Sequence, residues 1–168
     1  MKLKKSFLFV ILLLSSCTVI KKDYGNYSDI DGLKKVVPKV ESYSKYGNPK
    51  TYKVFGVQYK TLDTHIGYSE EGIASWYGKK FHGRLTSTRE KYDMYKLTAA
   101  HKTLPIPCYA RVTNLKNKKS IIVRINDRGP FKKGRIIDLS YAAAVKLGIV
   151  KSGTQKVFVE AINASQFK

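Results

Sequence analysis

Cysteine is scarce in this chain: 168 residues contain two, Cys17 and Cys108. Two cysteines cannot build the disulfide framework of a small exported domain, so the fold must rest on its hydrophobic core. With only three histidines beside them they offer no zinc-ligand spacing, and neither a metal nor an organic cofactor is expected. Long apolar runs are missing too. The longest, residues 7–14, has eight residues, whereas crossing a hydrocarbon core takes about 20. Acidic residues are few, with 12 Asp and Glu against 32 Lys and Arg and a net charge of +20. In a cytosolic protein that excess would point first at nucleic acid.

The N-terminus argues against a cytosolic address. Lys2, Lys4 and Lys5 precede the apolar run, which is the layout of a secretory signal over residues 1–16. Leu14-Ser15-Ser16-Cys17 resembles a bacterial lipobox, which implies cleavage before Cys17 and lipidation of that residue. Thr18, where an Asp would imply inner-membrane retention, points to the periplasmic face of the outer membrane. Loss of the three leader lysines leaves a charge of +17. Outside the cytoplasm the abundant polyanions are the cell wall and anionic lipid, so no nucleic-acid partner is expected.

Residues 17–71 read as a lipidated N-terminus and a largely flexible tether. Seven tyrosines and many lysines lie here, but aliphatic residues are sparse, and only residues 52–59 hint at a strand. A flexible chain of 54 residues would span about 40 Å root-mean-square. Composition changes at Gly72, and residues 72–162 have the size and apolar content of one small domain. Strands are predicted over residues 72–77, 109–115, 120–126, 135–139 and 155–162, with 81–95 as loop and 98–102 as a turn of helix or a bridge. Ser140 is a good N-cap for a short helix over 141–147, which Gly148 would stop. Many short strands with one or two small helices predict a mainly β fold, a compact barrel. Residues 163–168 form a tail.

Residues 120–139 organise this domain. Ile121, Val123 and Ile125 alternate along a strand that delivers Asn126-Asp127-Arg128 to the Gly129-Pro130 bend. A second carboxylate, Asp138, follows eleven residues after Asp127.

ASWYG (74–78), FHGR (81–84), EKYDM (90–94), LTAAHKTLP (97–105), RVTNL (111–115), VRINDRGP (123–130), RIIDLS (135–140) and AAAVKLG (142–148) together resemble the rare lipoprotein A (RlpA) family. The blocks keep the family's order across nearly all of residues 72–162. The resemblance implies a six-stranded double-psi β-barrel of the barwin and expansin kind. It also implies lytic transglycosylase activity on peptidoglycan, with preference for glycan stripped of stem peptides, at division sites. Two departures stand out. Thr88-Arg89 replaces the family's Asn-Gly before Glu90, and the SPOR domain of many relatives is not expected after Lys168.

Such an enzyme must protonate the leaving oxygen and deprotonate the muramic 6-hydroxyl, which attacks its own anomeric carbon. The resemblance makes Asp127 the acid/base, with Glu90 as a second carboxylate. His101 titrates near neutrality and could shuttle a proton. Asp138 is a groove residue, and Trp76 and Tyr77 are candidate sugar-stacking rings. His82, Arg84 and Arg128, with Lys102 more weakly, are candidate hydrogen-bonders to glycan or its lactyl carboxylate. The expected partners are peptidoglycan strands, the membrane through Cys17 and division-site proteins, for a monomer. The competing readings are a wall-binding module without turnover, and a structural lipoprotein bridging membrane and wall.

Overall fold

A computed structural model describes residues 24–25, 30 and 32–167. The leader and Cys17 lie outside the described residues. A short hairpin, β1 (Thr51–Val54) and β2 (Val57–Lys60), precedes the barrel strands β3 (Ser69–Tyr77), β4 (Thr98–His101), β5 (Cys108–Asn114), β6 (Ser120–Asp127), β7 (Arg135–Ser140) and β8 (Gln155–Ile162). These six close into a barrel in the order β3-β7-β4-β6-β5-β8. Two contacts, β3–β7 and β4–β6, are parallel and the other four antiparallel, the mixed pairing of a double-psi barrel.

The period-2 pattern decides which face fills the barrel. Ala74 on β3, Ala110 and Val112 on β5, Val123 and Ile125 on β6, Ile137 and Leu139 on β7, and Val157 and Val159 on β8 are all fully buried. Their neighbours Ser75, Arg124 and Asp138 therefore face outward. Burying each Ile, Leu or Val contributes about 1.5–3 kcal/mol. Cys108, the other cysteine, joins this core, and burial pushes its thiol up to about 12 against the opposing pull of Arg128 and Arg124. It is an inert core residue.

The helix α1 (Tyr141–Leu147) lies where it is expected, with Ala142, Ala143, Ala144 and Leu147 fully buried. Ser140 Oγ accepts a hydrogen bond from Ala143 N at 3.2 Å. Gly148, at φ 72°, adopts the left-handed conformation and returns its N–H to Ala144 and Val145 carbonyls.

Two expectations give way. Residues 98–101 form strand β4, which excludes the helical turn and extends the alternative of a bridge into a full strand. All four residues are buried because β4 runs between β7 and β6, so no alternation advertises it. The tether reading also fails over residues 32–71, which lie along the barrel. Ser44 N donates to Ile106 O at 2.9 Å and Leu62 N to Thr103 O at 2.8 Å. The Asn48 amide exchanges two bonds with the Ile106 backbone, and β3 itself starts at Ser69. Polar ties hold this segment, so its low aliphatic content is a poor guide to its order. Residues Ala164–Gln166 add a 3-10 turn after β8.

Candidate active site

The register of the three central strands builds the site. Ala100 on β4 pairs with Asp127 on one side and Asp138 on the other. Directly paired residues share a face, so both carboxylates stand on the outer surface, flanking a small alanine. Strand spacing puts their Cα atoms about 10 Å apart. A bulge between Ala99 and Ala100 lets Asp127 reach this register, with Asn126 as the extra residue.

Asp127 is held at one oxygen only. Its Oδ1 accepts from Ser87 N (2.8 Å), Ser87 Oγ (2.7 Å) and Arg128 N (2.8 Å). Oδ2 has no partner among the described residues. Asp138 is treated differently. Burial pushes its carboxyl up to about 6, and the positive charges of Arg135 and Lys102 only partly oppose this. Arg135 Nη1 stays 3.6 Å away, too far for a hydrogen bond.

Tyr77 projects from β3 over the same face, paired with Ser140 and stacked on Tyr92 at 4.2 Å. Burial raises its pKa well above the phenolic norm, as do Tyr92, Asp127 and Asp138, so it is a neutral hydroxyl beside both carboxylates. Among the described residues six buried side-chain polar atoms lack a hydrogen-bond partner. Five of them belong to this neighbourhood: Tyr77 Oη and Thr98 Oγ1, which still lie close enough to interact weakly with each other, and Asn126 Oδ1, Asp138 Oδ1 and Arg135 Nε. Buried polar atoms without a strong hydrogen bond are costly and rare, and here they gather behind the carboxylate pair.

Glu90 approaches the next stretch of the face and is fully paired. Arg124 Nη1 donates to both its oxygens at 2.9 and 2.8 Å, and Asn126 Nδ2 to Oε2 at 2.9 Å. Burial alone would raise its pKa, but the Arg124 and Asn126 bonds outweigh that and hold it below the ordinary range. Arg124 also pairs with Glu41 at 2.9 Å, from the N-terminal segment. Glu90, Arg124, Asn126 and Thr98 line a cleft of about 570 Å³. Glu90 is thus a fixed anion that anchors the bulge behind Asp127, a poor proton donor.

His101 does not face the groove. It is 2% exposed, and its Nδ1 accepts from Thr103 N (3.2 Å) and Leu104 N (3.0 Å). Its proton therefore sits on Nε2, directed at Tyr68 Oη at 2.8 Å, and Tyr68 in turn donates to Glu70 Oε2 at 2.5 Å. Burial first, then Arg128 and Lys102, depress its pKa to about 3. The shuttle role expected of an imidazole near neutrality has no physical basis here, because the ring stays neutral. His101 instead shapes the turn whose carbonyls receive Arg128.

Arg128 turns back onto the chain. Its guanidinium donates to Gly47 O (2.7 Å), Leu104 O (2.6 Å), Asn48 Oδ1 (2.9 Å) and, at 3.2 and 3.3 Å, the carbonyls of His101 and Lys102. It makes no ion pair with Asp127. At most one of its five N–H groups remains, so the glycan-binding expectation is corrected to a structural one. Lys102 is likewise engaged with the Arg135 carbonyl.

Trp76 alternates with Tyr77 and turns to the other face, packing on Tyr141 at 5.6 Å and Tyr24 at 5.8 Å. It is no platform for a sugar in this groove. His82 accepts from Met94 N at 3.2 Å, beside Asp93. Arg84 is exposed and covers Phe81, which packs edge-on against Tyr77. That leaves Arg84 the better placed cation at this margin. Arg89 sits at φ 70° in the left-handed region, which favours glycine, and its guanidinium covers Tyr46 at 5.3 Å. Sequence reasoning missed Ser87, Arg124, Tyr68 and Glu70. Only the alternation placing Arg124 outward in β6 could have flagged one of them.

Comparison with known proteins adds a family. The model of a family described as lytic transglycolase matches residues 69–159. An endolytic peptidoglycan transglycosylase RlpA of Vibrio cholerae is 48% identical over 95% of this chain and 64% of its own length. A protein of the same name from Rickettsia felis is 43% identical over 90% of this chain and 68% of its own. The chain spans less than two thirds of several such relatives, 40% in Pseudomonas aeruginosa. Among solved structures, Streptomyces papain inhibitor covers 60% of this chain, and all of its own, at a TM-score of 0.50 and 21% identity, a likeness of fold alone.

Proposed function

Because the chain belongs to the lytic transglycolase family, we propose that it cleaves peptidoglycan glycan strands, Asp138 and Asp127 acting on the bond from the two sides of Ala100. One observation carries this reading: two outward carboxylates in unlike environments share one face across Ala100. A carboxyl whose surroundings hold its proton near neutral pH is suited to the acid role. Asp138, raised to about 6, holds a proton to give to the leaving glycosidic oxygen. Asp127, fixed at Oδ1, presents Oδ2 as the acceptor for the muramic 6-hydroxyl proton. That hydroxyl attacks C1, the glycosidic C–O bond breaks, and a 1,6-anhydro end forms without water.

Glu90 and His101 are positioning residues, the first through Asn126 and the second through the Arg128 turn. The high positive charge suits a substrate bearing lactyl carboxylates. We infer from the lipobox that Cys17 anchors the protein at the periplasmic face of the outer membrane, as a monomer that favours stripped strands near division sites. Palmitate labelling lost in Cys17→Ala tests the anchor.

The test of chemistry incubates the protein with purified sacculi and with amidase-stripped glycan, and reads new ends by mass spectrometry. New 1,6-anhydromuramic ends, lost in Asp138→Asn and in Asp127→Asn, are expected. Ordinary reducing ends would make the enzyme a hydrolase. Binding of both glycans without new ends would leave a wall-binding module.

A further inference from the structure

Past the end of β6 the chain bends through Gly129 and Pro130 and sets Phe131 against the β1–β2 hairpin. The Phe131 ring centroid lies 6.2 Å from Tyr52 and 5.6 Å from Tyr59, and the two tyrosines stack at 5.3 Å. All three rings are half-buried, and none is among the residues packed on the barrel core. The hairpin turn adds Phe55, 90% exposed at its tip. Aromatic clusters of this size ordinarily fill cores, because rings carry a large hydrophobic driving force. This one keeps its faces partly in solvent.

Its position is informative. A Cβ placed on Gly129 would lie 3.9 Å from Ala100 Cβ and 3.9 Å from Phe131 Cε2. Ala100 is the residue between Asp127 and Asp138, so the cluster begins one contact beyond the carboxylate pair. The Tyr52 ring also lies 5.9 Å from the Arg128 guanidinium carbon, and its hydroxyl donates to Lys102 O at 2.6 Å, which fixes the hairpin to the groove wall. Charge around the cluster has one sign. Residues 50–60 and 128–135 contain no Asp or Glu, while Lys53, Lys60, Lys132 and Lys133 stand exposed.

We propose that Tyr52, Tyr59 and Phe131 form a second glycan subsite, an aromatic shelf that holds sugars of the same carboxylate-bearing amino-sugar strand beyond the cleaved bond. The ligand's class rests on the function proposed above. The C–H faces of pyranose rings pack on the aromatic faces, and lactyl carboxylates meet the lysines. The shelf lengthens the stretch of strand the protein grips, so it acts on long strands and not on short fragments.

The test uses the full-length chain carrying Asp127→Asn, so that strands stay uncut during calorimetry. The Asp127→Asn protein should prefer long stripped strands to a tetrasaccharide. Adding Tyr59→Ala or Phe131→Ala should lower long-strand affinity about 3- to 10-fold and bring the long-to-short ratio towards one. Tyr59→Phe, which keeps the ring, should preserve the ratio and controls for folding. A long-to-short ratio unaltered by both alanine variants overturns the subsite, as does an equal loss for the tetrasaccharide. With Asp127 restored, the same proteins are scored for anhydro ends. Anhydro ends with an unaltered ratio refute the shelf alone. A collapsed ratio with no anhydro ends from any protein refutes the transglycosylase and leaves the shelf standing.

Discussion

Glu90 and Asp138 approach the same outer face of one barrel, yet their surroundings are opposite. Glu90 is 42% exposed at its side chain and receives three hydrogen bonds from Arg124 and Asn126. Asp138 is 17% exposed, has one oxygen without any hydrogen bond, and has its nearest guanidinium at 3.6 Å. The first arrangement stabilises an anion and a loop. The second disfavours the anion and keeps a proton available near neutral pH. A carboxylate's usefulness as an acid is set by what the fold withholds from it.

The largest effect expected from breaking this contrast is on activity. Asp138→Asn should reduce anhydro-end formation by about 100- to 10,000-fold. The same change should stabilise the protein at pH 7–8, by roughly 1–3 kcal/mol, because the raised folded pKa means that ionising Asp138 costs stability. The sign follows from linkage. The contribution of protonated Asp138 is complete below the unfolded pKa and is lost as pH rises through about 6. Thermal melts across pH 4–8 check it. In the wild type kcat/KM should fall as pH rises past about 6, and a profile flat from pH 5 to 8 would contradict the acid assignment.

Removing the partner of the saturated anions comes next. Arg124→Met removes the cation that Glu41 and Glu90 share, leaving them with the bonds from Tyr109 and Asn126, and should cost about 3 kcal/mol in urea unfolding. Glu90→Gln keeps the shape and one acceptor oxygen, which can still take bonds from Arg124 and Asn126 while the new NH2 turns to solvent, so it should cost about 1 kcal/mol or less, since the group is well exposed. Its depressed pKa adds stability that is lost as pH falls through the folded value.

His101 sharpens the comparison from the basic side. With its pKa lowered to about 3, the ring should stay neutral from pH 8 to pH 5, read as unchanged imidazole nitrogen shifts by NMR. The unfolded chain takes up the proton that the buried ring refuses, so stability should decline as pH falls below about 6.5. A histidine titrating near 6.5 at this position would restore it as a shuttle.

The smallest expected effect lies at Arg89. Replacing a non-glycine residue at φ 70° with glycine relieves about 1 kcal/mol of strain, and loss of the contact over Tyr46 returns about 0.5 kcal/mol. Arg89→Gly should therefore raise stability only slightly, measurable as a small increase in Tm.

Local pattern was enough wherever the physics is local. The strand β8 and helix α1, with Ser140 and Gly148 at the helix ends, were legible from alternation and capping chemistry alone. Trp76 and Tyr77 were separable onto opposite faces by adjacency in one strand. The family resemblance rested on ordered blocks, and it singled out the carboxylates now found on one surface.

What the sequence could not reveal depends on pairing between distant segments. Strand β4 has four residues, all buried, and becomes a strand only because β6 and β7 flank it. Register across those strands, absent from any linear pattern, puts Asp127 and Asp138 on either side of Ala100. Arg128 was expected to bond glycan, but carbonyls from residues 47, 101, 102 and 104 capture it. His101 lost its proton-carrying character to burial, a property of the assembled barrel. The amino-acid sequence by itself determined five of the barrel's six strands, its inward face and its stock of acids. Tertiary structure decided which acid is satisfied and which is left wanting, because hydrogen-bond partners and desolvation come from residues far apart in the chain.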